Sequence, residues 1–356
     1  MRVLFLPNWR VESGPESMDG RSPNVYSGPR DYWFFKHWPG AEVDVVDTGP
    51  PLVGRLEERV FRFYALQALR ALPGLSNYDL IVSHGAQSAV LFAGIRAIAG
   101  ISNPPHMLID VGCLAAGRSD PFELAPIRFA LKSVSAVVYH ASVQKSFYQK
   151  HLPEIEERAH FVPFGVDPDF FKPMELEQED YMLSIGYRFR DWSTLIRAFR
   201  PLSGKIRLKI VGCKDALDCP NVTIEPWVSI DRLKELMARS RLIALPFPEK
   251  RFSLGQTTLL GAMSMAKAVV TTASSAVADY AQDEANCLTA EVGDWKAFGR
   301  KIAQLLEEPE FAAELGRKAR ESVISRFNER RMAIEIFDLA KPLFGRELNA
   351  EAPSAL

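Results

Sequence analysis

The feature that most constrains this chain is a repeated alternation. Short runs rich in Val, Ile and Leu, at 3–6, 43–46, 80–83, 106–109, 136–139 and 160–162, are separated by helix-like segments near 32–38, 55–72, 86–99, 121–131 and 143–150. Within the runs, apolar and polar residues do not alternate, which is the pattern of parallel strands buried on both faces. A βαβα order of this kind predicts a doubly wound sheet. The pattern stops around Pro163-Phe164-Gly165-Val166-Asp167, and Phe171-Lys172-Pro173 with the acidic stretch 175–180 reads as a linker. It restarts with strands at 182–185, 207–211, 222–224, 242–245 and 269–271. Helices are predicted at 194–199 and 230–239, after Gly255, and at 295–306, 311–327 and 329–343. At 356 residues the chain exceeds what one core usually supports. The expected class is α/β, with two Rossmann-like doubly wound domains facing a cleft, over 1–168 and 169–340, and a tail at 341–356. Open sheets of this type bind ligands beyond the carboxyl ends of their strands.

Bulk properties remove several classes of function. A formal net charge of −1 gives no case for nucleic acid as a partner. Cys113, Cys213, Cys219 and Cys287 are scattered, with no C-x-x-C pair and no nearby His cluster. That usage fits a reducing compartment and argues against a zinc site. The opening MRVLFLPNWR is too short for a signal-peptide core and reads as a first strand. No apolar run approaches the ~20 residues of a membrane span. The expected location is cytoplasmic.

One stretch carries the most chemistry. In "RFSLGQTTLLGAMSMAKAVVTT", 251–272, a small polar run leads directly into a helix-like pattern. A helix start offers unpaired N–H groups and partial positive charge, which suits phosphate. Gly255 lets backbone approach a ligand closely, and Ser253, Gln256 and Thr257 add side-chain donors. Ser253–Thr258 therefore reads as a diphosphate cradle, or else as an ordinary helix capped by Ser253 or Thr257. Arg188 and Arg190 follow a strand end and are candidates to bind phosphate bidentately. A surface ion pair of Arg190 with Asp191, or a stack on Trp192, is the alternative. His84 and Asp110 end the strands "DLIVSHG" and "HMLID". His84 is a candidate to bond a ligand hydroxyl, and Asp110 to position a substrate or act as base. The Gly-, Ser- and Pro-rich loop 8–29 starts at a strand's carboxyl end and reads as a lid, with Gly14 approaching a ligand phosphate. Arg55, Arg59, Arg62 and Arg70 on the helix 55–72 would suit an anionic membrane surface. Glu57 and Glu58 favour a solvated helix instead. No metal motif stands in a convincing place.

Several segments together resemble the retaining GT-B glycosyltransferases of family four. "HFVPFGVDPDFFKP" (160–173) resembles that family's hinge, and "MLSIGYRFRDWSTLIRAF" (182–199) its G-R…K…L-I segment. "LKIVG" (208–212) and "NVTIEPWVSIDRLKELMARSRLIALP" (221–246) resemble its nucleotide-side strands and helix. "SLGQTTLLGAMSMAKAVVTT" resembles its E-G-F-G…L-L-E-A-M signature, and "NCLTAEVGD" (286–294) its N-G-L-L-V…G-D segment. The match runs in order through the second half and only in outline through the first. There are departures. Ser253 and Gly261 stand where the family's E-x(7)-E glutamates would fall, Phe164 replaces an Asn, and Arg190 falls on the family's Lys.

The resemblance implies a nucleotide-diphosphate sugar as donor substrate, with no separate cofactor and no metal. It implies a glycan, lipid-linked or small-molecule hydroxyl as acceptor, and retention of configuration. It gives the first domain the acceptor side and the second the nucleotide sugar. Arg190 would stabilise the leaving diphosphate, Trp227 and Val228 would cover the nucleobase, and the domains would close about 164–166. A lipid-linked acceptor would bring peripheral contact at the inner face of the membrane. Two alternatives stand beside this. One is a non-catalytic sugar-nucleotide-binding partner protein, favoured by the missing glutamates. The other is a GT-B-type nucleotide-sugar epimerase, which would want paired acid/base carboxylates.

Overall fold

The computed structural model of the chain describes residues 1–13, 23–50, 57, 63–112, 114, 120–186, 188–215 and 217–344. In chain order its first strands are β1 (Arg2–Leu6), β2 (Glu12–Ser13), β3 (Val25–Tyr26), β4 (Glu42–Val45), β5 (Leu80–His84), β6 (His106–Asp110), β7 (Ala136–Tyr139) and β8 (Ala159–Phe161). Then come β9 (Tyr181–Ile185), β10 (Arg207–Val211), β11 (Val222–Glu225), β12 (Leu242–Leu245), β13 (Val269–Thr272) and β14 (Leu288–Ala290). Two six-stranded sheets form, ordered β4-β1-β5-β6-β7-β8 and β11-β10-β9-β12-β13-β14. The registered pairs are parallel: Val3 faces Val43 and Leu80, and Leu183 faces Lys209 and Ile243. This is the expected pair of doubly wound sheets.

Why the strands lack alternation is visible in β9. Tyr181, Leu183 and Ile185 enter one core with Leu233, Leu259, Leu260 and Val323. Met182 enters another, with Leu195, Phe199, Phe298 and Ile302. Both faces of the strand are covered by helices, so both sets of side chains must be apolar. Ser184, on the Met182 side, is tolerated because its hydroxyl donates to the Ala244 carbonyl at 2.6 Å. The helices covering the two cores are Trp192–Phe199, Ile230–Arg239, Gln256–Ser264, Trp295–Glu307 and Pro309–Arg326.

By contacts the chain divides into two compact units. One comprises Met1–Ile109, Ser119–Val138 and Ile334–Leu356, the other Asp110–Arg118 and Tyr139–Ala333. The second unit thus holds all of the second sheet together with the loop after β6 and the segment before β9. Read from sequence, the boundary stood at 168, between the last strand of one sheet and the first of the next.

Three local readings are corrected. The helix at 32–38 is a single tight turn, Trp33–His37, buried through Trp33, Phe34 and Phe35. Of the range 55–72, Glu57 and 63–72 are described: Phe63 and Tyr64 are not helical, a helix runs Ala65–Ala71, and Arg55, Arg59 and Arg62 lie outside the described residues. Its Arg70 donates to the Asp47 carbonyl at 3.3 Å. Strand β14 and the small β2–β3 pair were not expected, because two or three residues give too short a pattern to read. No helix among the described residues is long and apolar enough to cross a membrane.

Candidate active site

The carboxyl ends of β9, β10 and β11 meet at glycines. Gly186, after β9, donates to the Val211 carbonyl at 3.0 Å. Gly212, after β10, donates to the Glu225 carbonyl at 3.0 Å. Gly212 sits at φ +87, and a Cβ there would lie 2.9 Å from the Gly186 carbonyl oxygen and 3.0 Å from Trp227 Cε3. The strand ends are packed too closely for any other residue. Trp227 lies against this glycine with 57% of its surface exposed, a large apolar face open to a ligand. Val228 instead packs on the core beneath.

Arg190 turns back on its own loop. Its Nε donates to the Ile185 carbonyl at 2.9 Å, and Nη1 reaches the carbonyls of Arg188 and Phe189 at 3.2 Å. Those bonds hold Phe189 at φ +55, a conformation few non-glycine residues adopt. The guanidinium carbon stands 4.5 Å from the centroid of the Phe247 ring. Burial lowers its pKa to about 10, so the group stays charged at neutral pH. Among the described residues no carboxylate pairs with it. The alternative partners, Asp191 and Trp192, are not used: Asp191 caps the next helix by accepting from Thr194 N–H at 2.9 Å. A half-buried cation without a counter-charge is costly, and an anionic ligand would offset that cost.

Phe247, which follows β12, also touches Gly255. At Gly255, φ is +80, and a Cβ would collide with the Phe247 ring. Gly255 is the N-cap of the helix Gln256–Ser264, and no side chain caps that helix. Among the described residues the N–H groups of Leu254 through Thr258 have no hydrogen-bond partner. The hydroxyls of Ser253 and Thr257 have none either, and Thr257 is exposed. One aromatic ring therefore joins an unpaired guanidinium to an open helix start. Both carry positive potential.

Not every expected residue belongs here. The Gln256 side chain is buried and donates to the Ala276 carbonyl at 2.8 Å, so only its backbone remains for a ligand. Asp110 is no free base. Its Oδ1 accepts from the N–H groups of Gly112 and Leu114 at 3.0 and 3.2 Å. Its Oδ2 accepts from Gln144 and Tyr148 at 3.0 and 2.7 Å. A carboxylate with four donors has no lone pair left for an acceptor's proton. Arg188 is exposed at the rim. His84, in the other unit, is 8% exposed; its Nδ1 meets Asn8 Oδ1 at 3.1 Å, and the rings of Trp9 and Trp33 stand edge-on to it. Gly14 lies outside the described residues. His140 is buried, contacts the Val162 carbonyl at 2.7 Å and has its pKa lowered to about 4 by desolvation. Phe171 packs beside Gly261, where the second family glutamate would stand. Sequence reasoning missed Phe247 and Gln144. An aromatic at the end of "LIALPF" was the only available signal for the first.

Among the described residues no group of three or more His, Cys, Asp or Glu is placed to hold a metal ion.

Comparison with solved structures bears on the fold. Sucrose-phosphate synthase from Thermosynechococcus elongatus superposes with a TM-score of 0.66 at 17% identity, over 97% of this chain and 99% of that one. A glycosyltransferase from Rickettsia africae gives 0.67 at 14% identity, over 97% and 99%. Anabaena HepE in complex with UDP gives 0.63 at 15% identity, over 96% and 100%. No curated protein matches the sequence significantly. The fold is GT-B. Within that class, residues 181–308 match the family model for glycosyl transferases group 1, so the chain carries a glycosyltransferase domain in a glycosyltransferase fold.

Proposed function

We propose that the protein transfers a sugar from a nucleoside-diphosphate donor to a hydroxyl of a glycan, lipid-linked sugar or small molecule, with retention. The observation that carries this reading is the pairing of Arg190 with the uncapped helix start at Gly255 through Phe247. As the sugar C1–O bond breaks, its electron pair passes to the diphosphate. In this reading the guanidinium and the open N–H groups would meet the new charge, which favours the transition state over the ground state. The acceptor oxygen forms the new bond to C1 on the face the diphosphate leaves. Its proton passes to the departing phosphate oxygen, so the saturated Asp110 is not required as a base. Trp227 would cover the base of the nucleotide. HepE, whose fold this chain shares, has been crystallised with UDP, with UDP and glucose, and with UDP-glucose, which makes UDP the first base to test.

A second reading has its own observation. Ser253 and Gly261 carry no carboxylate at the family's glutamate positions. A protein that binds a sugar nucleotide without turning it over would fit that. Incubation with a panel of nucleotide sugars, with and without hydroxyl acceptors, separates the two. Nucleoside diphosphate released only with acceptor supports transfer. Tight binding without release supports the partner-protein reading, and interconversion of the donor alone would support an epimerase.

A further inference from the structure

Asp110, too saturated to serve as a base, is the root of a buried network that ends at the cradle. Its Oδ1 folds the loop after β6 by taking the N–H groups of Gly112 and Leu114. Its Oδ2 takes Gln144 Nε2 at 3.0 Å and the Tyr148 hydroxyl at 2.7 Å. The other end of the same amide, Gln144 Oε1, accepts the N–H of Ser253 at 3.1 Å. Asp110, Gln144 and Tyr148 are all buried, so water offers little substitute for any lost partner. The loop also presses directly on the cradle. At Gly112, with φ +92, a Cβ would stand 2.8 Å from Phe252 Cδ2 and 2.9 Å from the Ser253 carbonyl oxygen. Three segments therefore converge on residues 252–253, immediately before the open N–H groups.

We infer that Gln144, oriented by Asp110 and Tyr148, is a positioning residue that sets the donor-diphosphate loop 252–255. The inference deepens the donor reading above and rests on it. The chemistry demands an amide at this position. Gln144 must donate to a carboxylate at one end and accept a backbone N–H at the other, and a primary amide does both from one planar group. Because Ser253 N–H is held by Gln144, it does not turn toward the anion. The groups from Leu254 onward are left to do so, in an orientation fixed before ligand arrives. Burial and the neighbouring Asp110 raise the Tyr148 pKa well above its ordinary value, which keeps that hydroxyl a donor. Such preorganisation lowers the ordering cost that a loop otherwise meets on binding.

The network allows a reciprocal test. Gln144→Leu removes both bonds at nearly constant volume. Gln144→Glu sets two carboxylates together, and Asp110→Asn can set two amide donors together. The double variant Asp110→Asn with Gln144→Glu restores complementarity. The amide placed at position 110 donates to the carboxylate placed at position 144 and to the Tyr148 hydroxyl, while its carbonyl still takes Gly112 and Leu114. The second carboxylate oxygen at position 144 still accepts the Ser253 N–H. Hydrogen exchange of the Ser253 amide in the free protein and calorimetric titration with UDP are the readouts, with melting temperature as control. In Gln144→Leu the expected result is at least tenfold faster exchange of the Ser253 N–H, the one amide of this stretch that Gln144 holds, and about tenfold weaker UDP binding. In the double variant both should return to within about threefold of wild type. Wild-type exchange and UDP affinity in Gln144→Leu would overturn the inference, as would failure of the double variant to recover while remaining folded. A wild-type protein that binds neither UDP nor ADP nor GDP would overturn the donor reading instead, a result distinct from equal binding by wild type and variant.

Discussion

Two places in this molecule use the same backbone device for different ends. Gly85 follows β5 and Gly255 follows the β12 loop; each has φ +80, each is a helix N-cap, and neither helix receives a side-chain cap. At Gly85 the N–H already donates to the Ile109 carbonyl at 2.8 Å. A Cβ there would meet Asn8 Nδ2 at 2.6 Å, and His84 beside it is lodged against Trp9 and Trp33. At Gly255 the N–H has no partner among the described residues, and the ring it touches carries an unpaired guanidinium on the other contact. A positive-φ glycine before a helix is therefore not a phosphate site by itself. What sets Gly255 apart is its own open N–H and a neighbouring cation that lacks its counter-charge.

Arg190→Ala challenges this contrast most directly. Turnover should fall by about a hundredfold or more, as when a preorganised donor to a developing charge is lost. The melting temperature should fall by only a few degrees, since relief of a desolvated charge offsets lost carbonyl bonds. If stability and turnover fall together, Arg190 serves the loop and the contrast fails. Matched substitutions come next. Gly255→Ala and Gly85→Ala should each cost about 1–2 kcal/mol for the left-handed backbone, measured by urea unfolding. Gly255→Ala should cost more, because its methyl meets a buried ring and not the end of a mobile side chain, and it alone should weaken UDP binding, by roughly tenfold.

Two tryptophans extend the comparison from glycines to rings. Trp227→Ala should weaken UDP binding about tenfold, the usual scale for loss of a base-stacking ring, with unchanged melting temperature. Trp9→Phe should do the reverse, because Trp9 Nε1 donates to the Pro23 carbonyl at 2.9 Å and its ring packs on Phe5. The smallest effect concerns acid. Burial lowers the pKa of His106 from 6.5 to about 3, with Arg96 adding to the shift, and burial lowers that of His140 from 6.5 to about 4. Both rings take up a proton more readily in the unfolded chain. Their contribution to stability is complete above pH 6.5 and drains away as pH falls toward about 4 for His140 and about 3 for His106. His106→Asn should flatten the slope of unfolding free energy by at most roughly 1.4 kcal/mol per pH unit, beginning below 6.5. An unchanged slope would mean that His106 is not desolvated as placed.

Much of the architecture was legible because parallel strands buried on both faces leave long apolar runs, and the two sheets follow those runs closely. The helix start was legible too, since Gly255 before an apolar helix pattern is a local signal. What failed were statements about where polar side chains point. Gln256 and Thr257 are neighbours of similar polarity, yet one is buried on the Ala276 carbonyl and the other faces solvent. A helix turns by about 100° per residue, so only the position of the core decides between them. Asp110 stood at a strand end as a catalytic carboxylate would, and its donors come from residues 112, 114, 144 and 148. Phe247 gave no sign of its role because that role is a contact with Arg190 and Gly255 at once.

From its residues alone, then, the chain was committed to two wound parallel sheets and to a glycine-led helix start, because strand periodicity and glycine's backbone freedom are local properties. Which charges go unpaired and which carboxylates are filled was settled by packing. Hydrogen bonds and desolvation depend on partners brought together from distant segments, and no window of sequence contains them.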